Sequence, residues 1–273
     1  MPEIPDLEGY RAYYNRRLPG LKVGLVEVTI PIVVRSSKEE FAATLDGAIF
    51  QPLERRGKYL LFPFDNGSLL VVHAMLTGRF QYCERKEKRR RAKTVFILAL
   101  DNGRELRYFD ERLMGKAYLV SAKDALAARV PRWSEMGPDA MSEQLTEDVF
   151  VQRLRAYRGQ IKNVLTNEQC IAGIGNAYAD EILWEAGIHP FRKRSDIAED
   201  SLRHLYRAMR SVLEWAIPIV SDRMEKEGLP ADHYRDHLRV HRRGGQACPR
   251  CGATISEISP NQRITSFCRH CQH

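Results

Sequence analysis

Near the C-terminus, Cys248-x-x-Cys251 and Cys268-x-x-Cys271 are separated by 16 residues. Each pair can place two thiolates on one ion, and two such pairs close a tetrahedral all-sulfur shell. A closed shell has no open position for water, so the spacing predicts one structural zinc ion per chain, not a catalytic one. The segment between the pairs, Gly252 to Phe267, is too short to build a core of its own. Metal ligation would supply its folding free energy. Such cysteines can also form a redox dithiol pair, but the βαβ surroundings of that motif are missing. Cys83 and Cys170 stand alone and read as reduced core thiols.

Charge collects in the same region. The 273 residues include 43 Lys and Arg against 35 Asp and Glu, a formal charge of +8. Residues 237–273 contain six arginines and one acid, Glu257. That excess favours a polyanionic partner. A hairpin stiffened by metal could hold Arg263 firmly enough to meet a phosphate. No apolar run nears the ~20 residues of a membrane-spanning helix. The start MPEIPDLEGY lacks the basic and apolar regions of a secretory signal, so a cytoplasmic protein is expected.

Ahead of the ribbon, hydropathy divides the chain in two. Glu3 to Arg17 reads as a short helix, with acids in its first turn and Pro5 early. From Leu21 to about Val120 come short apolar segments: LVEVTI, YLLFPF, SLLVVHAML, TVFILALD, ELRYFD and KAYLV. Asp65-Asn66-Gly67 and Asp101-Asn102-Gly103 mark turns among them. The pattern predicts antiparallel strands in a sandwich or barrel, with the basic run Lys86 to Lys93 as a solvated hairpin loop. Residues 122–145 read as a connector. Helices are expected over Glu147–Arg158, Asn176–Ala186 and Leu202–Val220. Gly173-Ile174-Gly175 would form a tight turn whose backbone N–H groups can face an anion.

Six blocks then combine with the cysteines. Met1-Pro2-Glu3-Ile4-Pro5-Asp6-Leu7-Glu8 opens the chain, followed by Arg56-Gly57-Lys58-Tyr59-Leu60 and His73-Ala74-Met75-Leu76-Thr77-Gly78. Leu106 to Arg112 (LRYFDER), Ile174 to Glu181 (IGNAYADE) and Gln262 to Phe267 (QRITSF) complete the series. In this order the blocks resemble the formamidopyrimidine-DNA glycosylase/endonuclease VIII family, whose members start with MPELPEVE. The resemblance covers the whole chain. It implies an α+β multidomain protein: an N-terminal helix plus β-sandwich, then a helix-two-turn-helix domain with a four-cysteine zinc-ribbon hairpin. The expected boundaries are a catalytic domain over 1–125, a linker over 126–145, the helical DNA-binding domain over 146–237 and the ribbon over 238–273. DNA would lie in the cleft between the halves, and the protein would act as a monomer, nucleoid-associated if bacterial.

The resemblance also implies chemistry: excision of an oxidised base, of the formamidopyrimidine or 8-oxoguanine type, then strand cleavage at the abasic site. With Met1 removed, Pro2 is a terminal secondary amine with a pKa of roughly 8, partly neutral in the cell. It would attack the deoxyribose C1′, expel the base and leave an iminium ion that permits β- and then δ-elimination. Glu3 would be the acid/base group, with Asp6 supporting it. Lys58, Asn176 and Arg263 would grip the phosphates beside the lesion. Leu76, Arg112 and Met114 would fill the gap left by the flipped nucleotide.

Two departures bear on specificity. Leu76 and Met114 stand where many members have methionine and phenylalanine, which implies looser discrimination of the opposite base. Ile217 to His241 is highly charged, where members usually carry a glycine- and threonine-rich stretch that folds over the extruded base. Val240-His241-Arg242-Arg243 is similar to the endonuclease VIII side of the family, so the same chemistry on oxidised pyrimidines stays open. A non-catalytic zinc-ribbon binder of damaged or abasic DNA is the alternative from another class.

Overall fold

The computed structural model describes residues 1–85, 87, 93–121, 126–229, 234–259 and 263–273. The chain divides into two compact units, Met1–Ser134 with Val220–His233 and Glu135–Ile219 with Tyr234–His273.

In the first unit, α1 (Ile4–Asn15) is followed by β1 (Val23–Val28), a 3-10 turn at Pro31–Val33 and α2 (Lys38–Leu45). Strands β2 (Glu54–Arg56), β3 (Tyr59–Pro63), β4 (Leu69–His73), β5 (Gly78–Glu84), β6 (Thr94–Leu100), β7 (Arg104–Asp110) and β8 (Lys116–Val120) come next, then the single turn α3 (Leu126–Arg129). They form two antiparallel sheets, ordered β1-β6-β7-β5 and β2-β3-β4-β8. All of β6 is buried, which explains its unbroken apolar run TVFILAL. Both Asp-Asn-Gly turns form. Gly67 and Gly103 take φ of 78° and 79°, and each preceding Asn side chain accepts the backbone N–H two residues on, from Ser68 and Arg104.

The aromatic core joins the sheets through α1. Phe62 of one sheet meets Phe80 of the other at 5.5 Å between ring centroids, and Tyr10 and Tyr14 of α1 pack on both. Because α1 buries residues around most of its circumference, it shows little amphipathic contrast. Beneath it, Tyr108 is fully buried and its hydroxyl has no hydrogen-bond partner among the described residues. Burial, then the neighbouring Asp110, pushes this phenol far above its ordinary pKa. Gly78 and Gly115 make room for it: a Cβ on either would lie 2.1 Å from that hydroxyl. Gly115→Ala should therefore cost about 3 kcal/mol by overpacking, measured as a shift in denaturant midpoint. Tyr108→Phe alone should be near neutral, because it deletes an unpaired hydroxyl, and should recover most of the Gly115→Ala loss.

The second unit contains α4 (Glu147–Arg155), α5 (Ile161–Leu165), α6 (Asn176–Glu185) and most of α7 (Glu199–Glu227), then the two-stranded ribbon of β9 (Ser256–Ile258) and β10 (Thr265–Phe267). Thr146 caps α4 by accepting the Val149 N–H. Gly173, at φ 102°, and Gly175, the N-cap of α6, form the expected turn.

Several expectations are corrected. Strands β5 and β6 are not sheet neighbours, since both pair with β7 and flank it; of the basic run Lys86 to Lys93 expected as a hairpin loop, residues 86 and 88–92 lie outside the described residues. Strand β5 escapes a hydropathy reading because Arg79 and Gln81 alternate with its apolar residues and are buried too. The helix from Glu147 stops at Arg155, and a further short helix, α5, lies in the expected loop. The last helix runs past Val220 to Glu227 with Pro218 inside it. Proline removes one backbone donor and suggests a stop. However, Val220 and Met224 extend the buried stripe, and Met224 Sδ packs on Gly9 of α1, where a Cβ would come within 2.8 Å. The charged segment from Ile217 is thus helical as far as Glu227 rather than a loop over a base. Residues 230–233 of that segment, and Gln262 of the last block, lie outside the described residues.

Candidate active site and nucleic-acid interface

The predicted residues fall into four groups, two in each unit. Pro2, Glu3 and Asp6 are buried at the N-terminus of α1. Glu3 is the N-cap and forms a reciprocal capping box with Asp6, whose carboxylate accepts the Glu3 N–H at 2.9 Å. Asp6 thus holds the backbone next to Pro2. Further along α1, Glu8 accepts from Arg55 of β2 at 2.6 Å, and Arg55 donates to the Gly57 carbonyl at 3.1 Å. That relay fixes the turn before Lys58, which is itself buried at the start of β3. At its other end α1 is tied down by Arg16 and Arg17, which share Glu225 and hold its carboxyl at about 2.

Opposite Tyr59, His73 ends β4, its ring 4.8 Å from the Tyr59 ring. Desolvation, then the charges of Lys58 and Lys116, brings its imidazole down to about 4. The ring is neutral at pH 7. Its Nδ1 accepts the Met75 N–H at 3.1 Å, which leaves Nε2 as the donor. The sequence reading quoted His73 within a block and gave it no role; its place two residues before a turn carried no signal of what it faces.

Leu76 and Met114 form the second group with Arg112. Both apolar side chains are 40% exposed, on the β4–β5 and β7–β8 loops, and Arg112 is exposed beside them.

The third group surrounds α6. Asn176 and Arg263 line one cavity of about 260 Å³ together with Lys162, Asn163 and Thr265. The Asn176 side-chain amide donates to the Ile264 carbonyl at 2.7 Å, so the helix start is joined to the hairpin that carries Arg263. One turn on, Asp180 is fully buried: Lys162 Nζ lies 2.6 Å from Oδ1, and His241 Nδ1 and the Ser266 N–H lie 2.7 and 3.1 Å from Oδ2. Lys162 also donates to the Ile264 carbonyl and to Thr265. Glu181 accepts the backbone N–H groups of Arg239, Val240 and His241. Burial raises its pKa against the pull of those three donors. The sequence reading missed Lys162, Asp180, Glu181 and Glu8. Asn176 and Asp180 do follow the i, i+4 spacing of a single helix face, which was the available signal.

The cysteines come together as predicted. Their four Sγ atoms lie within 4.8 Å of one another, with Cys248–Cys271 at 3.9 Å and Cys251–Cys268 at 3.5 Å. Four thiolates at about 2.3 Å from a tetrahedral ion need sulfur–sulfur edges of about 3.8 Å, so the cluster fits a metal ion. Trp184 of α6 donates its indole N–H to Cys248 Sγ at 3.4 Å, and Arg250 lies over its ring. Cys83 and Cys170 are buried with thiols pushed up to about 11 and 12 by desolvation, in keeping with inert core positions.

Comparisons with known proteins agree along the chain. Residues 1–117 match the formamidopyrimidine-DNA glycosylase N-terminal domain, and residues 136–226 match the formamidopyrimidine-DNA glycosylase H2TH domain. Residues 245–273 match the zinc finger found in FPG and IleRS. The formamidopyrimidine-DNA glycosylase of Pelotomaculum thermopropionicum is 36% identical, covering 100% of this chain and 99% of that one. That of Herpetosiphon aurantiacus is 35% identical with full coverage of both. Among solved structures, the Lactococcus lactis enzyme bound non-covalently to DNA containing an abasic site superposes with a TM-score of 0.87 at 30% identity, covering 100% of each chain. MutM in complex with DNA containing carbocyclic 8-oxo-G gives a TM-score of 0.87, 30% identity and the same coverage. Among the described residues, no helix is long and apolar enough to cross a membrane. With its three segments matched in order and its full length shared with these relatives, the chain belongs to the formamidopyrimidine-DNA glycosylase family.

Proposed function

We propose that this protein is a bifunctional DNA glycosylase and abasic-site lyase that excises oxidised purines of the formamidopyrimidine and 8-oxoguanine type. The observation that carries the reading is the start of α1, where Pro2 and Glu3 are fixed by the Asp6 capping box while Glu8 and Arg55 fix the turn that precedes Lys58. Once Met1 is removed, the Pro2 nitrogen attacks C1′ and the damaged base leaves with the glycosidic electron pair. Glu3 delivers a proton to the ring oxygen as the sugar opens, and the secondary amine becomes an iminium ion. Loss of the C2′ proton to a base then expels the 3′ phosphate, and δ-elimination expels the 5′ phosphate. Lys58, Asn176 and Arg263 contact the phosphates beside the lesion, and the His73 Nε2–H offers a further donor. Leu76, Arg112 and Met114 fill the space vacated by the flipped nucleotide. Zinc, one ion per chain on Cys248, Cys251, Cys268 and Cys271, supplies rigidity to the hairpin and no step of the reaction. By function, the domains run over 1–125, 146–237 and 238–273, with the linker at 126–145.

His241 is turned onto Asp180, so the Val240–Arg243 block serves the ribbon rather than a base and gives no support to a pyrimidine specificity. A panel of duplexes carrying formamidopyrimidine, 8-oxoguanine or an oxidised pyrimidine tests the reading by single-turnover excision. Purine lesions should be cut at least about tenfold faster, about 1.4 kcal/mol in the barrier. Faster excision of the pyrimidine lesion would move the substrate class, and no excision from any duplex would leave only a binder of damaged DNA.

A further inference from the structure

We propose that Asp110 and Thr77 form a clamp that joins the Leu76 loop to the Arg112–Met114 loop, making this pair the positioning groups for insertion into the duplex. The inference rests on the role given above to those three side chains. The two loops leave neighbouring strand ends, because Gly78 of β5 and Asp110 of β7 are paired in register. Each loop holds a non-glycine residue in the left-handed region next to its exposed apolar side chain: Met75 at φ 47° and Leu113 at φ 54°. Such conformations are disfavoured and persist only where surrounding contacts fix them.

Those contacts converge on one carboxylate. Asp110 is fully buried, and its Oδ2 accepts the Gly115 N–H at 2.6 Å, closing the loop that carries Arg112 and Met114. Its Oδ1 accepts the Arg112 N–H at 3.2 Å and the hydroxyl of Thr77 from the other loop. Thr77 Oγ1 in turn accepts the same Arg112 N–H at 3.0 Å. The backbone of Arg112 is thus held from both sides, and Leu76 is one residue away from the bridging hydroxyl. Without the bridge, the two loops would be separate hinges, each losing its own freedom when DNA binds. With it, that ordering is complete in the free protein, and the insert arrives as one piece. A guanidinium that must meet the edge of an unpaired base depends on such placement far more than a phosphate contact does.

Thr77→Val removes the bridge while leaving shape and the Asp110–Gly115 bond intact, and Thr77→Ser retains the bridging hydroxyl. The probe is an abasic duplex with 2-aminopurine opposite the site, whose fluorescence reports insertion in stopped flow. Borohydride trapping on single-stranded abasic DNA, which has no opposite base, is the control. Thr77→Val should insert about tenfold more slowly and lose part of its spread in excision rate among the four opposite bases, with single-strand trapping unchanged. Thr77→Ser should behave as the parent does. Asp110→Asn should show the same insertion defect or a larger one. Parent-like insertion by Thr77→Val overturns the clamp, as does a Thr77→Val defect that appears equally in single-strand trapping. Failure of the parent itself to trap would instead overturn the lyase reading beneath it.

Discussion

Chains that retain Met1, or carry a tag ahead of it, will form no borohydride-trapped adduct with abasic duplex DNA, while chains processed to Pro2 will trap efficiently. Acylation by Met1 makes the proline nitrogen an amide whose lone pair is delocalised into the carbonyl, so it cannot attack C1′. The fold would be unaffected, since α1 is capped from Glu3 by Asp6 and anchored by Glu8 and Glu225. The expected loss is at least about a thousandfold in the single-turnover rate, about 4 kcal/mol of barrier. Mass spectrometry of the N-terminus decides which form is present, and denaturing gels score the adduct. Pro2→Gly puts a primary amine in place of the secondary one and should trap weakly, so the tagged chain is the sharper control. Efficient trapping by a chain with Met1 confirmed in place would remove Pro2 from the mechanism.

Withdrawal of the metal should have the second large effect. Each cysteine of the cluster lies on the ribbon, and among the described residues the β9–β10 ladder between the two pairs has three paired positions. Structural zinc supplies apparent folding energies of about 10–16 kcal/mol to small domains of this kind, far more than such a ladder can. Cys268→Ser, or chelation with thiol capture, should therefore unfold residues 245–273. The damage should spread to α6. Asp180 would lose the Ser266 N–H, and Lys162 would lose Ile264 and Thr265, leaving charged groups with fewer partners. With Arg263 no longer placed, affinity for abasic duplex should fall at least about a hundredfold, about 2.7 kcal/mol, and bound metal, circular dichroism and titration should change together. Affinity within twofold of the loaded protein would show that the ribbon does not hold the DNA.

What the sequence displayed was local. The cysteine spacing, the Asp-Asn-Gly turns, the glycine turn before Asn176 and the apolar run of β6 each declare their structure within one short stretch of chain, through thiolate geometry, left-handed backbone or unbroken hydropathy. The contacts that place the site join distant positions instead. Asp180 meets Ser266 and His241 from α6, and Glu8 meets Arg55 across two elements. Nothing in the pattern around either acid distinguishes it from a solvated helix charge. The extension of α7 through Pro218 to Glu227 was hidden for a related reason. Proline and a charged run both argue for a stop, and only the packing of Met224 on Gly9 shows why the helix continues.

Trp184 gives the protein an optical gauge of its own. The indole N–H rests on a sulfur of the cluster and its ring is covered by the Arg250 guanidinium, whereas Trp133 lies against Tyr59 and Arg56 and Trp215 against His237 and Arg239. Emission from Trp184 must therefore respond to the electronic state of the thiolates beside it. Ultraviolet light alone can follow the filling and emptying of the centre in unlabelled protein, and batches can be sorted by their loading before any DNA is added.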